Sequence, residues 1–429
     1  MDIFRGIIGL AILIGLCWCL SPNRRQISWR LVGAGLGLQF LLAIGLLLFA
    51  PVSKVVEWVS GFFVKMLAFS DAGSRLLFGE LLDASRYGIA FKILPTIIFV
   101  SAVTSLLYYL GILQRVVWLF AWVMKRVMGL SGAESLATAA NVFIGQTEAP
   151  LLVRPYIGKM SSSELMALMT GGMATIAGSV FALYVAMLGG GDADAQASIA
   201  KHLLTASMMN APAAIVVAKM LVPQAGKFDD KIEINQQKTE RNILDAIARG
   251  TTEGLKLAVN VAAMLLVFIA LIALINAGLG WLGALGGGGG VLNQWVANVS
   301  GGVFQAFSLE AIFGFVFAPI AWVIGGDHGD LLQLGQLLGT KMVSNEMIAY
   351  TQLADLNQLG SLSPKASFLA TFALCGFANF SSIGIQIGGI GALAPERRGE
   401  LASLGLKAMI GGTIASLMTA TIAGMFFGG

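Results

Sequence analysis

Asn141-Val142-Phe143-Ile144-Gly145-Gln146-Thr147-Glu148 and Lys341-Met342-Val343-Ser344-Asn345-Glu346 are two short polar stretches in a chain that otherwise reads as membrane-embedded. Glu148 and Glu346 sit in surroundings too apolar for a free carboxylate. An ionisable group at bilayer depth costs roughly 2.5 kcal/mol or more on insertion scales, so it faces a cavity or a partner and marks function. Each stretch is followed by an apolar segment with Gly, Ser, Thr or Asn in its middle. Polar tips followed by broken helices predict a secondary transporter that holds its substrate near the bilayer midplane.

The composition agrees. Of 429 residues, 57% are hydrophobic and 12% charged. A soluble domain carries about 25% charged residues, so this one belongs in a bilayer. Its 54 glycines fit close helix packing and interrupted helices. The net charge of +4 is scattered, which argues against a nucleic-acid partner. Cys17, Cys19 and Cys375 lie in apolar runs without metal-ligand spacing and read as small hydrophobes. His202 and His328 border polar segments, and Asp327-His328-Gly329-Asp330 reads as a solvated loop. The apolar run after Arg5 has no small-residue cleavage site and is followed by Arg24, Arg25 and Arg30, so it reads as a retained span.

Apolar runs near 20 residues predict eight crossings, at about 3–21, 31–50, 89–113, 163–189, 201–223, 254–281, 364–391 and 402–427. Helices are expected because the alternation of a membrane barrel is absent. Arg24, Arg25 and Arg30 follow span one; Arg115, Lys125 and Arg126 follow span three. Lys227, Lys231, Lys238, Arg241 and Arg249 follow span five; Arg397 and Arg398 follow span seven. The positive-inside rule then places both termini outside, periplasmic for an inner-membrane protein. Segment 51–87 carries mixed charge. Residues 114–128 mix bases with aromatics and read as an amphipathic helix on the membrane surface. Residues 131–160 and 329–357 are too polar at their centres to cross, and read as re-entrant hairpins with buried tips. The glycine run 286–290 reads as a flexible external loop.

The order repeats. Gly172-Met173-Ala174-Thr175-Ile176-Ala177-Gly178-Ser179 aligns with Gly376-Phe377-Ala378-Asn379-Phe380-Ser381-Ser382, each following a Glu-bearing tip. The predicted fold is therefore all-α and polytopic, with eight transmembrane helices, two re-entrant hairpins of opposite orientation and two broken helices in an inverted repeat. Its expected divisions are 1–88, peripheral helices; 89–224, the first repeat; 225–253, a charged cytoplasmic linker; and 254–429, the second repeat, with an external amphipathic helix before its hairpin.

Asn379, Ser381 and Ser382 place donors and acceptors at one break, and Thr175 is the matching hydroxyl at the other. Gln146, Thr147 and Glu148 form a continuous donor–acceptor set at the first tip, and Glu346 stands at the second. Carboxylates accept from vicinal hydroxyls and an amide matches a heterocycle edge, so the set suits a neutral, hydroxyl-rich ligand. An anion site would gather arginines, whereas only Lys341 and Arg154 are near in sequence. An intramembrane hydrolase using Glu148 and Glu346 is an alternative from another class, but the chain lacks an HExxH motif and a Ser/His/Asp set. An ion channel would need a ring-like filter.

At these residues the chain resembles the concentrative nucleoside transporters. The likeness lies in Gly145-Gln146-Thr147-Glu148, in Gly339-Thr340-Lys341 followed by Asn345-Glu346-Met347-Ile348-Ala349-Tyr350, and in Cys375-Gly376-Phe377-Ala378-Asn379-Phe380-Ser381-Ser382-Ile383-Gly384. It runs from about residue 89 to the C-terminus. The resemblance implies that Gln146, Thr147 and Glu148 bind the nucleobase, that Val180 flanks it, and that Glu346, Asn379 and Ser382 bind the ribose with Phe377 beside it. It also implies a co-transported sodium ion held by Asn141, the Ile144 carbonyl, the Thr175 hydroxyl and the Ile176 carbonyl. It implies a homotrimer in the lipid bilayer that imports nucleosides such as uridine by alternating access. Thr175 stands where the family has a serine, and Met347-Ile348 replaces its Phe-Val. The first departure bears on the ion, for which the alternative is a proton.

Overall fold

A computed structural model describes residues 2–79, 94–190, 192–224, 241–285 and 290–428, and contains no strand among the described residues. The peripheral unit is α1 (Asp2–Leu20), α2 (Trp29–Ala43) and α3 (Ala50–Phe78). Lys54, Glu57, Lys65, Asp71 and Arg75 give α3 the mixed charge noted for segment 51–87, and α3 is not among the helices apolar enough to cross a bilayer.

The segment expected to form the first repeat contains α4 (Leu94–Tyr109), α5 (Ile112–Met128), α6 (Gly132–Leu152), the short α7 (Arg154–Ile157), α8 (Ser162–Ala174), α9 (Gly178–Gly189) and α10 (Ala193–Leu221). α5 turns off α4 by 74°, in line with the surface helix expected at residues 114–128. Val117, Ala121, Met124 and Met128 form its buried stripe, while Trp118 and Trp122 stay exposed. Ser131 and Ser161 open α6 and α8 with capping boxes to Glu134 and Glu164. Glu134 also meets Lys219 of α10 at 2.6 Å, with both groups buried. Removing either partner strands a charge and costs about 3–5 kcal/mol, so the pair fixes where the first hairpin begins.

The segment expected to form the second repeat contains α11 (Ile243–Gly283), α12 (Val291–Val299), α13 (Leu309–Val323), α14 (Leu331–Val343), α15 (Glu346–Gln358), α16 (Pro364–Leu374), α17 (Phe380–Leu393) and α18 (Arg398–Met425). All eight predicted spans coincide with helices. Spans four and seven are the interrupted pairs α8/α9 and α16/α17.

Two details differ from the sequence reading. α11 starts at Ile243, inside the segment assigned to the charged linker, because Asn242 caps it by accepting from the Asp245 amide and Arg249 pairs with Glu253 one turn on. Its 41 residues extend about 60 Å, twice the hydrocarbon thickness, so its polar start lies beyond the apolar span. α13 was not expected between the external helix and the second hairpin. It is apolar but only 15 residues long, too short for a span, and packs along α14, where a methyl group at Gly335 would lie 2.5 Å from the Gly314 carbonyl. Residues 89–93, the linker through 240 and most of the glycine run lie outside the described residues.

α10 and α18 form the centre, with 89% of each span buried, whereas the α11 span is 11% buried. α11 lies against α4 through small residues: a methyl group at Gly250 would meet the Ser105 Cβ at 2.6 Å. The central pair α10 and α18 carries the two broken helices, and these carry the site.

Candidate functional site

Each hairpin breaks at its polar tip. In the first, α6 is interrupted at Gly145, whose backbone (φ 73°, ψ 167°) suits glycine alone. A methyl group there would also lie 2.7 Å from the Ala177 Cβ, so this tip seats directly on the α8/α9 break. The second breaks at Ser344 and Asn345, where the Asn345 side chain caps α15 by accepting from the Ile348 amide. Glu346 is thus the first residue of α15, and Asn379 caps α17 in the same way, accepting from the Ser382 amide at 2.9 Å.

These tips and breaks meet in one hydrogen-bonded seam. Tyr184 of α9 donates to Glu346 Oε1 at 2.9 Å, and the Asn379 amide donates to Glu346 Oε2 at 2.8 Å. Ser381 donates to Asn379 Oδ1 at 2.7 Å. The Gln146 Nε2 donates to the Ser382 hydroxyl at 3.1 Å, and Gln386 Nε2 donates to Gln146 Oε1 at 3.0 Å. Gln146, Glu346, Asn379 and Ser382, singled out from sequence, are all buried here. Val180 is buried one turn before Tyr184 on the same face of α9, and Phe377 is half-buried at the break. Thr147 and Glu148 are not part of the seam: both are exposed, and Glu253 and Arg249 of α11 are the charges acting on Glu148.

The seam lies at helix N-termini: the second half of α6, α15 and α17 all begin there. Their free N–H groups favour electron-rich ligand atoms and steady the Glu346 carboxylate. The first half of α6 and α8 end at the tip and at the break, so their C-terminal carbonyls gather there, some of them taken up by side chains: Ser207 donates to Val142, Thr175 to Gly171 and Asn210 to Ala174. Asn141 is fully buried there, and neither of its side-chain polar atoms has a partner. Thr175 is also fully buried and donates to the Gly171 carbonyl at 2.9 Å, while a methyl group at Gly171 would lie 3.5 Å from Asn141 Nδ2. Asn141 and Thr175 therefore flank the same glycine, with Ile144 and Ile176 buried beside them. Orphaned polar atoms in a folded interior call for an explanation, and oxygen donors at two helix C-termini suit a hard monovalent cation.

Sequence reasoning missed four further residues. Tyr184 and Gln386 complete the seam. Asn210 of α10 donates to both the Ala174 and the Cys375 carbonyls at 2.7 Å, tying the two breaks together. Gly376 permits that approach, because a methyl group there would lie 2.6 Å from the Ala174 carbonyl. Lys341 is buried and donates to the Ala373 carbonyl at 2.8 Å, at the end of α16. Lys341 precedes Glu346 by the same five residues that separate Asn141 from Gln146. The buried lysine and the lone glutamine were visible in sequence as polar groups inside apolar runs. Asn210 was visible in the same way inside span five, but Tyr184 gave no such signal.

Comparison with known proteins covers nearly the whole chain. The profile for the C-terminus of Na+ dependent nucleoside transporters matches residues 202–424, that for their N-terminus matches 8–81, and a nucleoside-recognition "Gate" profile matches 90–191. A Haemophilus influenzae protein described as an uncharacterized transporter is 43% identical over 100% of this chain and 99% of its own length. The sodium/nucleoside cotransporter 1 of Rattus norvegicus is 37% identical over 98% of this chain, and the solute carrier family 28 member 3 of the same species is 38% identical over 97%. This chain spans 63% and 58% of those two animal proteins. Among solved structures, CNTnw in an inward-facing substrate-bound state superposes with a TM-score of 0.88 at 36% identity, covering 100% of both chains. An outward-facing variant of CNTnw superposes with a TM-score of 0.89 at 35% identity.

Proposed function

Because this chain belongs to the sodium-dependent nucleoside transporter family, we propose that it is a sodium-coupled symporter importing nucleosides such as uridine across the inner membrane by alternating access. The observation that carries the reading is the Glu346 carboxylate held by Tyr184 and Asn379 beside the Gln146–Ser382 contact. Each Glu346 oxygen keeps acceptor capacity for a vicinal diol, and among the described residues no arginine converges on it as an anion site would require. The ribose lies against Glu346, Asn379 and Ser382, with Phe377 beside it. The base lies against Gln146 and Val180, with Thr147 and Glu148 closing over it from the exposed side of the tip.

Sodium is the co-transported ion, held by Asn141, the Ile144 and Ile176 carbonyls and Thr175. The Gly145–Ala177 contact supports the coupling: the loop that carries Asn141 and Gln146 rests on the break that carries Thr175. An ion bridging the two fixes the Gln146 tip, so the substrate pocket is complete only when sodium is bound. The two hairpins enter from opposite leaflets as inverted repeats, with both chain termini periplasmic. The chain assembles as a homotrimer, for which the apolar, largely exposed flank of α11 offers a surface to lipid or to a second copy. The hydrolase reading of Glu148 and Glu346 is set aside, because the family is one of transporters.

The test is radiolabelled uridine uptake into proteoliposomes, with sodium and proton gradients imposed separately. A sodium gradient alone should drive accumulation. Accumulation driven by a proton gradient alone, and indifferent to sodium, would replace the ion in this account.

A further inference from the structure

We propose that Gln386 sets nucleobase selectivity by locking the orientation of the Gln146 amide; the proposal rests on Gln146 being a base contact. Gln386 lies on α17 and is 1% exposed. Its Nε2 donates both to the Met169 carbonyl of α8 and to Gln146 Oε1, each at 3.0 Å. A main-chain carbonyl can only accept, so Met169 dictates which end of the Gln386 amide faces α8. The other hydrogen of that nitrogen then dictates that Gln146 turns its oxygen toward Gln386. The Gln146 nitrogen is left toward Ser382, where it donates one hydrogen and retains another. The usual ambiguity between the two ends of an amide is thereby removed by a chain of contacts rooted in the backbone.

The packing is built around this arrangement. A methyl group at Gly172 of α8 would lie 2.6 Å from Gln386 Nε2 and 2.9 Å from the Gln146 Cβ, so glycine is what lets both amides reach α8. A glutamine this deep in an apolar helix is expensive unless it has a role.

The consequence is a fixed donor at the base subsite. A base that presents an acceptor there, such as the uracil carbonyl at position 4, gains a hydrogen bond. One that presents an amino group there, such as cytosine, meets a second donor. A site built around a hydrogen bond rejects the mismatched analogue, here by about tenfold for one contact.

The experiment is competition against radiolabelled uridine binding, in sodium, by uridine, cytidine and 3′-deoxyuridine, for the parent protein, Gln386→Leu and Gln386→Glu. The parent should prefer uridine to cytidine by about tenfold. Gln386→Leu frees the Gln146 amide to turn and should bring the ratio close to one. Gln386→Glu places an acceptor where a donor stood, draws the Gln146 nitrogen toward α17 and should move the ratio toward cytidine. The preference for uridine over 3′-deoxyuridine should persist in both variants, since the ribose contacts are untouched. An unchanged uridine-to-cytidine ratio in both variants would overturn the proposal. So would an equal loss of all three ligands in variants that melt as the parent does, since Gln386 would then be only a strut. If the parent binds no nucleoside, the base-contact reading of Gln146 fails instead.

Discussion

Gln146 and Ser382 stand 236 residues apart in sequence and are joined by a hydrogen bond of 3.1 Å, which links the tip of the first hairpin to the broken helix of the second repeat. The two halves of the chain thus share one site. Ser382→Ala should remove the acceptor for Gln146 and one ribose contact together. The expected result is a rise of about tenfold in the half-saturating uridine concentration, with half-saturating sodium little changed. Uptake titrated in both solutes checks it.

Glu346 accepts from Tyr184 and Asn379 through different oxygens, and both oxygens keep lone pairs for a ligand. In Glu346→Gln one end becomes a donor, which removes one of the two acceptors and turns the Tyr184 hydroxyl from donor to acceptor. Affinity for ribosides should fall about 10- to 100-fold, and 2′,3′-dideoxyuridine should lose much less. Equal losses for the two ligands would remove Glu346 from the ribose subsite.

Asn210→Ala should act on stability rather than on a ligand contact. It strands the Ala174 carbonyl in a fully buried setting and leaves the Cys375 carbonyl only the Ser416 hydroxyl, which costs about 1–3 kcal/mol. The melting temperature of detergent-purified protein should drop. Asn210→Asp should be no better, because a carboxylate offers neither carbonyl a hydrogen.

Gly145→Ala combines a backbone that only glycine adopts readily with a Cβ 2.7 Å from the Ala177 Cβ. Strain of about 1–3 kcal/mol should lift the first tip off the α8/α9 break. Sodium-dependent uridine uptake should fall markedly while the protein still purifies and melts cooperatively. Normal uptake would mean that the tip does not need this seat.

The sequence exposed the parts of the fold that follow from bulk transfer energy. Eight runs of about 20 apolar residues were visible because the hydrocarbon thickness sets that length. α13 was not, because 15 residues fall below it, and the first turns of α11 hid among charges that mark a helix end as readily as a linker. At the site, Gln146, Glu346, Asn379 and Ser382 stood out as polar groups at tips and breaks. Tyr184 did not, since a tyrosine in Val180–Gly189 is equally consistent with packing until its hydroxyl is seen against Glu346. Asn210 gains its meaning only when the Ala174 and Cys375 carbonyls, distant in sequence, are brought to either side of it.

The central claim is that an ion between Asn141 and Thr175 completes a nucleoside pocket at the neighbouring tip. Uridine binding to the purified protein, measured in sodium and in choline for the parent and for Asn141→Ala, tests it most directly. The account predicts strong binding by the parent in sodium, weak binding in choline, and no difference between the two salts for Asn141→Ala. Uridine binding by the parent that is the same in both salts would contradict it.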